Sequence, residues 1–346
     1  MMTKQRLTKA RCMNRRALAF LPALLPFLLA SWSSPPGRSV RGPSVTWTAD
    51  DFDHVWSTVA THYPYLELKG IDWQGLHHEY AARLRQAGSG DIRDLILDLL
   101  AELQDGHVYL EVGRSRKYPF TPPRRKDRDS FDPQHLKAYL GGCPRSVGSG
   151  SVYFKKTWDN LGYIYIPSLG PAGLKDDFAH ALGRLKDTRG LILDLRNNGG
   201  GSGDRTNDLV GWFLTAPKEK PPVYHSGRRL RFLPLQPKSS PYGRSVVLLV
   251  NGGTFSEAER FAEIMKQIPT VTVVGDTTGG GSAGGGDRFF LSNGRAFSMG
   301  TYDFRGYDGL PWEGVGVEPD FRVPQTPVHG VAGRDPQLER ALSLLH

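Results

Sequence analysis

The chain has 346 residues, 39% hydrophobic and 23% charged, which is an ordinary globular composition large enough for one big domain or two modest ones. Six of the 44 Lys+Arg and none of the 35 Asp+Glu precede residue 35, so 38 basic residues face 35 acidic ones in the remainder. The formal +9 and the pI of about 9.5 therefore do not argue for a nucleic-acid partner, because much of the basic excess sits in one short N-terminal segment.

That segment, MMTKQRLTKARCMNRR, leads into an apolar run from Ala17 to Ala30 and then into SWSSPPG. A basic stretch, a short apolar run and small polar residues are the pattern of a secretory signal peptide. The apolar run carries Pro22 and Pro26 and falls short of the roughly 18 residues a spanning helix needs. Residues 1–34 are thus expected to be a cleaved signal rather than a retained anchor, leaving an exported protein, periplasmic or extracellular, without a stable membrane span. Cys12 would leave with the signal and Cys143 would stand alone, so no disulfide is expected, and no two cysteines are spaced to share a zinc ion.

Residues 45–103 read as a small helical subdomain. Phe52, Val55, Trp56 and Val59 share one helical face behind Thr48 or Asp50 as cap, and DWQGLHHEYAARLRQ and DIRDLILDLLAEL give two more helices. DGHVYLEVGR turns on Asp105-Gly106 and then alternates as a strand, and residues 113–150, rich in Pro, Gly, Arg and Lys, read as connecting loop. From 151 to 346 strand and helix patterns alternate, which predicts an α/β (α+β) core with a mixed sheet covered by helices. Sites in such sheets lie beyond the carboxyl ends of parallel strands.

Two strand ends carry candidate chemistry. LILDLRNNGGGSGD runs an apolar strand into three glycines, whose freedom at positive φ suits a backbone nest for an anion or a developing oxyanion, or simply a tight strand-to-helix turn. Asp194 and Arg196, two apart on that strand, read as a buried ion pair. VVLLVNGGTFSEAERFA places Ser256 at the opening of a helix, where Ser256 and Glu259 fit the S-x-x-E capping box. The same position exposes a serine Oγ beside the next backbone N–H, that of Glu257, so capping and nucleophilic roles stand as alternatives. Of ten histidines, His107 is the best-placed base, at a turn entering a strand. The loop TTGGGSAGGGD lacks the Gly-Lys-Ser/Thr of a phosphate loop and reads as a flap or a backbone that a substrate strand passes closely. No cofactor or metal is implied. In LPWEGVGVEPD, Glu313 and Glu318 read as surface charge.

Taken in order, DGHVYL, LILDLRNNGGGS, NGGTFSEAERFA, VVGDTTGG and WEGVGVEPD resemble one group of serine peptidases, that of the C-terminal (tail-specific) processing proteases and the tricorn core protease. The chain is also similar to the modules of the interphotoreceptor retinoid-binding protein, which share the fold but bind ligands. Processing proteases use a lysine after the serine, in a stretch matched here by Thr277 to Gly281 without one. The resemblance is therefore to the tricorn-like branch, which implies His107 as base and Glu313 as the acidic member, with Asp105 or a water as other groups able to orient the imidazole. That branch has a serine before its histidine, where this chain has Gly106. A regulatory PDZ domain would sit after the DGH block, where about 45 residues are too few for one.

The resemblance implies acyl transfer to Ser256, with Glu257 and Gly199 or Gly200 lending N–H groups to an oxyanion hole and a peptide or unfolded protein as substrate. The alternative is a non-catalytic ligand- or peptide-binding module on the same fold. Oligomeric state is not legible.

Overall fold

In the computed structural model, residues 46–124 and 131–346 are described, so the expected signal peptide lies outside the described residues. Strands Leu161–Tyr165, Gly190–Asp194 and Val246–Val250 are buried at every position. Continuous burial of this kind is what a parallel strand covered on both faces requires. They form the centre of a seven-stranded sheet, whose order by residue is 321–322, 271–275, 246–250, 190–194, 161–165, 152–156, 145–147. The first five run parallel, and the last two are added by antiparallel pairing, so the sheet is mixed, as the alternating pattern predicts.

Side chains alternate between two cores across this sheet. Leu191, Leu193, Val246 and Leu248 pack with helices Leu174–Leu185, Gly203–Val210 and Glu257–Lys266. Ile192, Val247 and Leu249 pack on the opposite face with the C-terminal helix Pro336–Leu345. Beyond the strand Gly190–Asp194, Arg196 is fully buried and held by Asp194 and by Asp335, both at 2.7 Å, which ties the C-terminal helix to the sheet. Removing one member would leave an uncompensated buried charge, so the expected ion pair belongs to the framework.

The three N-terminal helices, Ala49–His62, Trp73–Leu84 and Ser89–Ala101, form as their periodicity predicts, the first capped by Thr48 and Asp51. They do not close a core by themselves. Val108 and Leu110 from one side and Ala283, Leu291, Phe297 and Met299 from the other complete it, through a four-stranded sheet of residues 287–290, 296–299, 109–112 and 115–117. This third core therefore joins chain segments more than 170 residues apart. Residues 113–150, read as loop, contribute strands Ser115–Lys117 and Arg145–Val147 and the short helix Leu136–Tyr139. Cys143 is disulfide-bonded. That corrects the expectation of a lone thiol at Cys143. No described helix is long and apolar enough to cross a membrane.

Candidate active site

Strands Gly190–Asp194 and Val246–Val250 are neighbours in register, so their carboxyl ends deliver the two glycine-containing turns side by side. Polar side chains then lock the turns together. Asn251 Oδ1 accepts from Asn197 N at 2.9 Å and Gly253 N at 3.0 Å, Thr254 Oγ1 donates to the Leu195 carbonyl at 2.9 Å, and Phe255 N donates to the Asn198 carbonyl at 2.9 Å. Gly200, at φ +96°, lies so close to the second turn that a Cβ there would meet Glu257 N at 2.8 Å and Ser256 Cβ at 2.9 Å. Only glycine allows this approach.

Ser256 sits at φ 59° and ψ −127°, a conformation rarely adopted by a residue with a side chain and costing about 1–3 kcal/mol. Its backbone is fixed by Glu259, whose Oε2 accepts the Ser256 N–H at 2.8 Å and whose N–H donates to the Ser256 carbonyl at 2.8 Å. The hydroxyl makes no cap hydrogen bond. The S-x-x-E pattern thus works through the glutamate side chain and the serine backbone, and Oγ is left to the cleft.

His107 stacks on the ring of Phe255, the residue before the serine, with centroids 4.7 Å apart. Its Nδ1 stands 3.3 Å from Asp105 Oδ1, an ion-pair separation short of a well-aligned hydrogen bond, and Oδ1 also accepts the His107 backbone N–H at 2.8 Å. Nε2 is buried without a hydrogen-bond partner among the described residues, so the serine–imidazole bond is not formed in this arrangement. Such bonds commonly tighten only when substrate is bound. Burial opposes the charged imidazolium, yet the Asp105 carboxylate, with Glu313 and Glu259 behind it, raises the His107 pKa above its ordinary value. For Asp105, burial opposes ionisation, but bonding to His107 and the charges of His107 and Lys69 hold its carboxyl below the usual range.

Glu313 does not touch the imidazole. Its Oε2 accepts from Ser282 N and Ala283 N, at 2.8 and 3.2 Å, and its Oε1 pairs with Lys69 Nζ at 2.8 Å. Burial, then the nearby Asp105 charge, push its pKa up. Far from being surface charge it is buried, and it acts on His107 only through space. Glu318, by contrast, is exposed, and its Oε1 accepts from Thr277 Oγ1 at 3.5 Å.

The loop 277–287 is no free flap over its first half. Thr278 Oγ1, Gly280 N and Gly281 N all donate to the Glu259 carboxylate, at 2.6, 2.7 and 2.8 Å, and residues 277–283 are buried. Its glycines serve close approach: a Cβ on Gly281 would meet Phe255 Cζ at 2.2 Å and His107 Cε1 at 2.9 Å.

The expected oxyanion donors divide. The Gly200 N–H is turned back onto Asn198 Oδ1 at 2.9 Å, which removes it from the set. The N–H groups of Gly199 and Glu257 make no hydrogen bond among the described residues, and Gly199 borders a cleft with Ser256 and His107. That cleft, of about 800 Å³, carries Tyr109, Tyr118 and Phe120. A second, of about 500 Å³, also reaches Ser256 and His107 and is walled by Lys220, Phe232 and Arg260. No cluster of three or more metal-ligating side chains occurs among the described residues.

Sequence reading did not single out Lys69, Tyr63 or the fastening role of Glu259. Lys69 Nζ donates to the Leu103 carbonyl at 2.7 Å and to Tyr63 Oη at 3.0 Å, and Tyr63 Oη donates to Asp105 Oδ2 at 3.0 Å. These residues sit just after the first helix, where nothing local distinguishes them from surface polar residues.

The pattern of Peptidase family S41 matches residues 160–323, and that of the Tricorn protease C1 domain matches residues 47–101. Tricorn protease homolog 1 of Streptomyces coelicolor is 24% identical over 398 residues, covering 89% of this chain and 36% of that protein. Tricorn protease of Thermoplasma volcanium is 31% identical over 193 residues, covering 55% of this chain and 18% of that one. The chain thus spans about a third or less of the length of these relatives. Among solved structures, a candidate peptidase from Parabacteroides merdae superposes with a TM-score of 0.75 at 25% identity, covering 86% of this chain and 96% of that one. Both matched patterns, in this order along the chain, place its similarity with the S41/tricorn serine peptidases.

Proposed function

We propose that this chain is an exported serine peptidase that cleaves peptides or unfolded proteins through an acyl-enzyme, acting in a periplasm or outside the cell. The observation that carries the reading is the strained Ser256, its hydroxyl free of the helix cap, bordering one cleft with a half-buried His107 that Asp105 backs. In this mechanism Ser256 Oγ attacks the peptide carbonyl while His107 Nε2 takes its proton. The oxyanion forms against the N–H groups of Glu257 and Gly199, each worth about 3 kcal/mol in a typical hole. His107 then returns the proton to the leaving amine, and water releases the acyl group by the same steps in reverse. Asp105, with its raised-pKa partner His107, holds the ring and stabilises the imidazolium; Glu313 adds negative potential from a further layer. The export assignment rests on the N-terminal sequence pattern alone.

The test is peptide-library cleavage read by mass spectrometry, with the unaltered protein, Ser256→Ala and His107→Ala, alongside labelling by a fluorophosphonate probe. Cleavage and labelling by the unaltered protein and loss in both variants are the expected results. A folded protein that neither cleaves nor labels would move the reading to a binding module.

A further inference from the structure

We propose that the cleft on the Lys220 side of Ser256 takes an acidic side chain of the substrate, an aspartate or glutamate adjacent to the scissile bond. The inference rests on the peptidase reading above and names its substrate class. Arg260 lies one helical turn past Ser256, about 6 Å along the axis, and borders the cleft. That is the reach of one side chain from the attacked carbonyl, whereas a chain terminus several residues away lies further out. Arg260 is 6% exposed, its guanidinium donating through Nη1 to Glu257 Oε1 at 2.7 Å and through Nη2 to Asn207 Oδ1 at 3.4 Å. Its Nε is buried without a hydrogen-bond partner among the described residues.

Lys220 is the second cation on this wall. It forms no ion pair among the described residues, and its Nζ stands 5.3 Å from the ring of Phe232. Burial and then the Arg260 charge hold its ammonium below the ordinary lysine range, against a smaller opposing effect of Glu257. Two cations here face one carboxylate, that of Glu257, which pairs with Arg260. An incoming carboxylate restores the balance through charge-assisted bonds, and a lysine or arginine side chain meets uncompensated repulsion.

The experiment uses matched peptides carrying Glu, Gln or Lys at each position flanking the cleaved bond, made with free and amidated C-termini. Specificity constants are measured for the unaltered protein, and binding is measured by fluorescence anisotropy with Ser256→Ala. At least a tenfold preference for Glu over Gln is expected in both measurements, unchanged by amidation. Lys220→Gln is expected to cut that preference several-fold and Lys220→Glu to reverse it toward Lys, each variant being checked for folding by circular dichroism. Equal treatment of Glu and Gln, a preference that follows the free terminus, an acidic preference surviving in both Lys220 variants, or no binding by Ser256→Ala overturns the proposal. Cleavage without a Glu preference overturns it and leaves the peptidase reading standing. Glu-selective binding without cleavage supports the cleft assignment and overturns the peptidase reading.

Discussion

Replacing Glu259 by glutamine probes the fastener that holds the serine turn and the glycine loop together. The native carboxylate accepts four donors, Thr278 Oγ1 and Gly280 N on Oε1 and Ser256 N and Gly281 N on Oε2. An amide keeps one oxygen for the Ser256 and Gly281 pair and presents NH₂ to the other. The Thr278 hydroxyl can turn to accept, but the Gly280 N–H is orphaned, at about 1–3 kcal/mol. Set against this is the burial of the native charge, which raises the Glu259 pKa to about 7 in spite of its four donors. A carboxyl whose folded pKa lies above its unfolded value stabilises most below the unfolded value, near 4.5, and that contribution is lost as pH rises through about 7. Between pH 5 and pH 8 the loss amounts to roughly 2 to 3 kcal/mol. Glu259→Gln is therefore expected to be about 1–3 kcal/mol less stable than the unaltered protein at pH 5 and close to it at pH 8. Urea unfolding at the two pH values measures the difference of differences. An equal gap at both would refute the reasoning, showing that the four donors keep Glu259 ionised throughout. Fluorophosphonate labelling of Ser256 is expected to slow in the variant at pH 8, where the native acceptor of the serine N–H is charged.

Asp105→Asn is expected to lower kcat/KM by roughly 10²- to 10⁴-fold, since an amide at this position stabilises neither the imidazolium nor the productive tautomer. Because the raised His107 pKa depends on this carboxylate, the acid limb of the pH–rate profile, expected above the ordinary histidine value, should move to lower pH in the variant; an unmoved limb would assign the base elsewhere. Gly106→Ser restores the serine of the tricorn-like pattern, but its Cβ would stand 2.7 Å from Pro122 Cγ and 3.0 Å from Phe255 Cζ. Displacing Phe255 unseats His107, so a loss of about 1–3 kcal/mol in stability and at least about tenfold in activity is expected, and calorimetry with steady-state rates checks both. Lys69→Met leaves Glu313 buried without its cation and should cost about 3–5 kcal/mol, partly restored in Lys69→Met/Glu313→Gln. A double-mutant cycle by urea unfolding measures the coupling, and additive losses would show that the pair is not the cause.

Much of the framework is legible in the chain because it is written in local pattern. Five-residue apolar runs ending in glycine turns mark Gly190–Asp194 and Val246–Val250 as buried parallel strands, and periodic apolar faces mark the N-terminal helices. Ser256 and His107 were visible for the same reason, each lying at a recognisable break between elements. The capping pattern around Ser256 was ambiguous, however, because sequence cannot say whether the hydroxyl or the backbone meets Glu259. Glu313 read as surface charge from its neighbours, although it is buried by segments from three parts of the chain.

By itself, then, the sequence determined the elements, their order, the strand ends that carry the site and the resemblance to a peptidase family. Periodicity and turn chemistry act over a few residues and survive in a linear reading. Only the tertiary structure decided which groups meet: Asp105 rather than Glu313 beside the imidazole, Gly199 rather than Gly200 facing the cleft, Lys69 beneath Glu313, and Arg260 with Lys220 on one wall. Most of those contacts join residues tens to hundreds of positions apart, and their energies depend on burial and on the direction of each hydrogen bond, which exist only once the cores have closed.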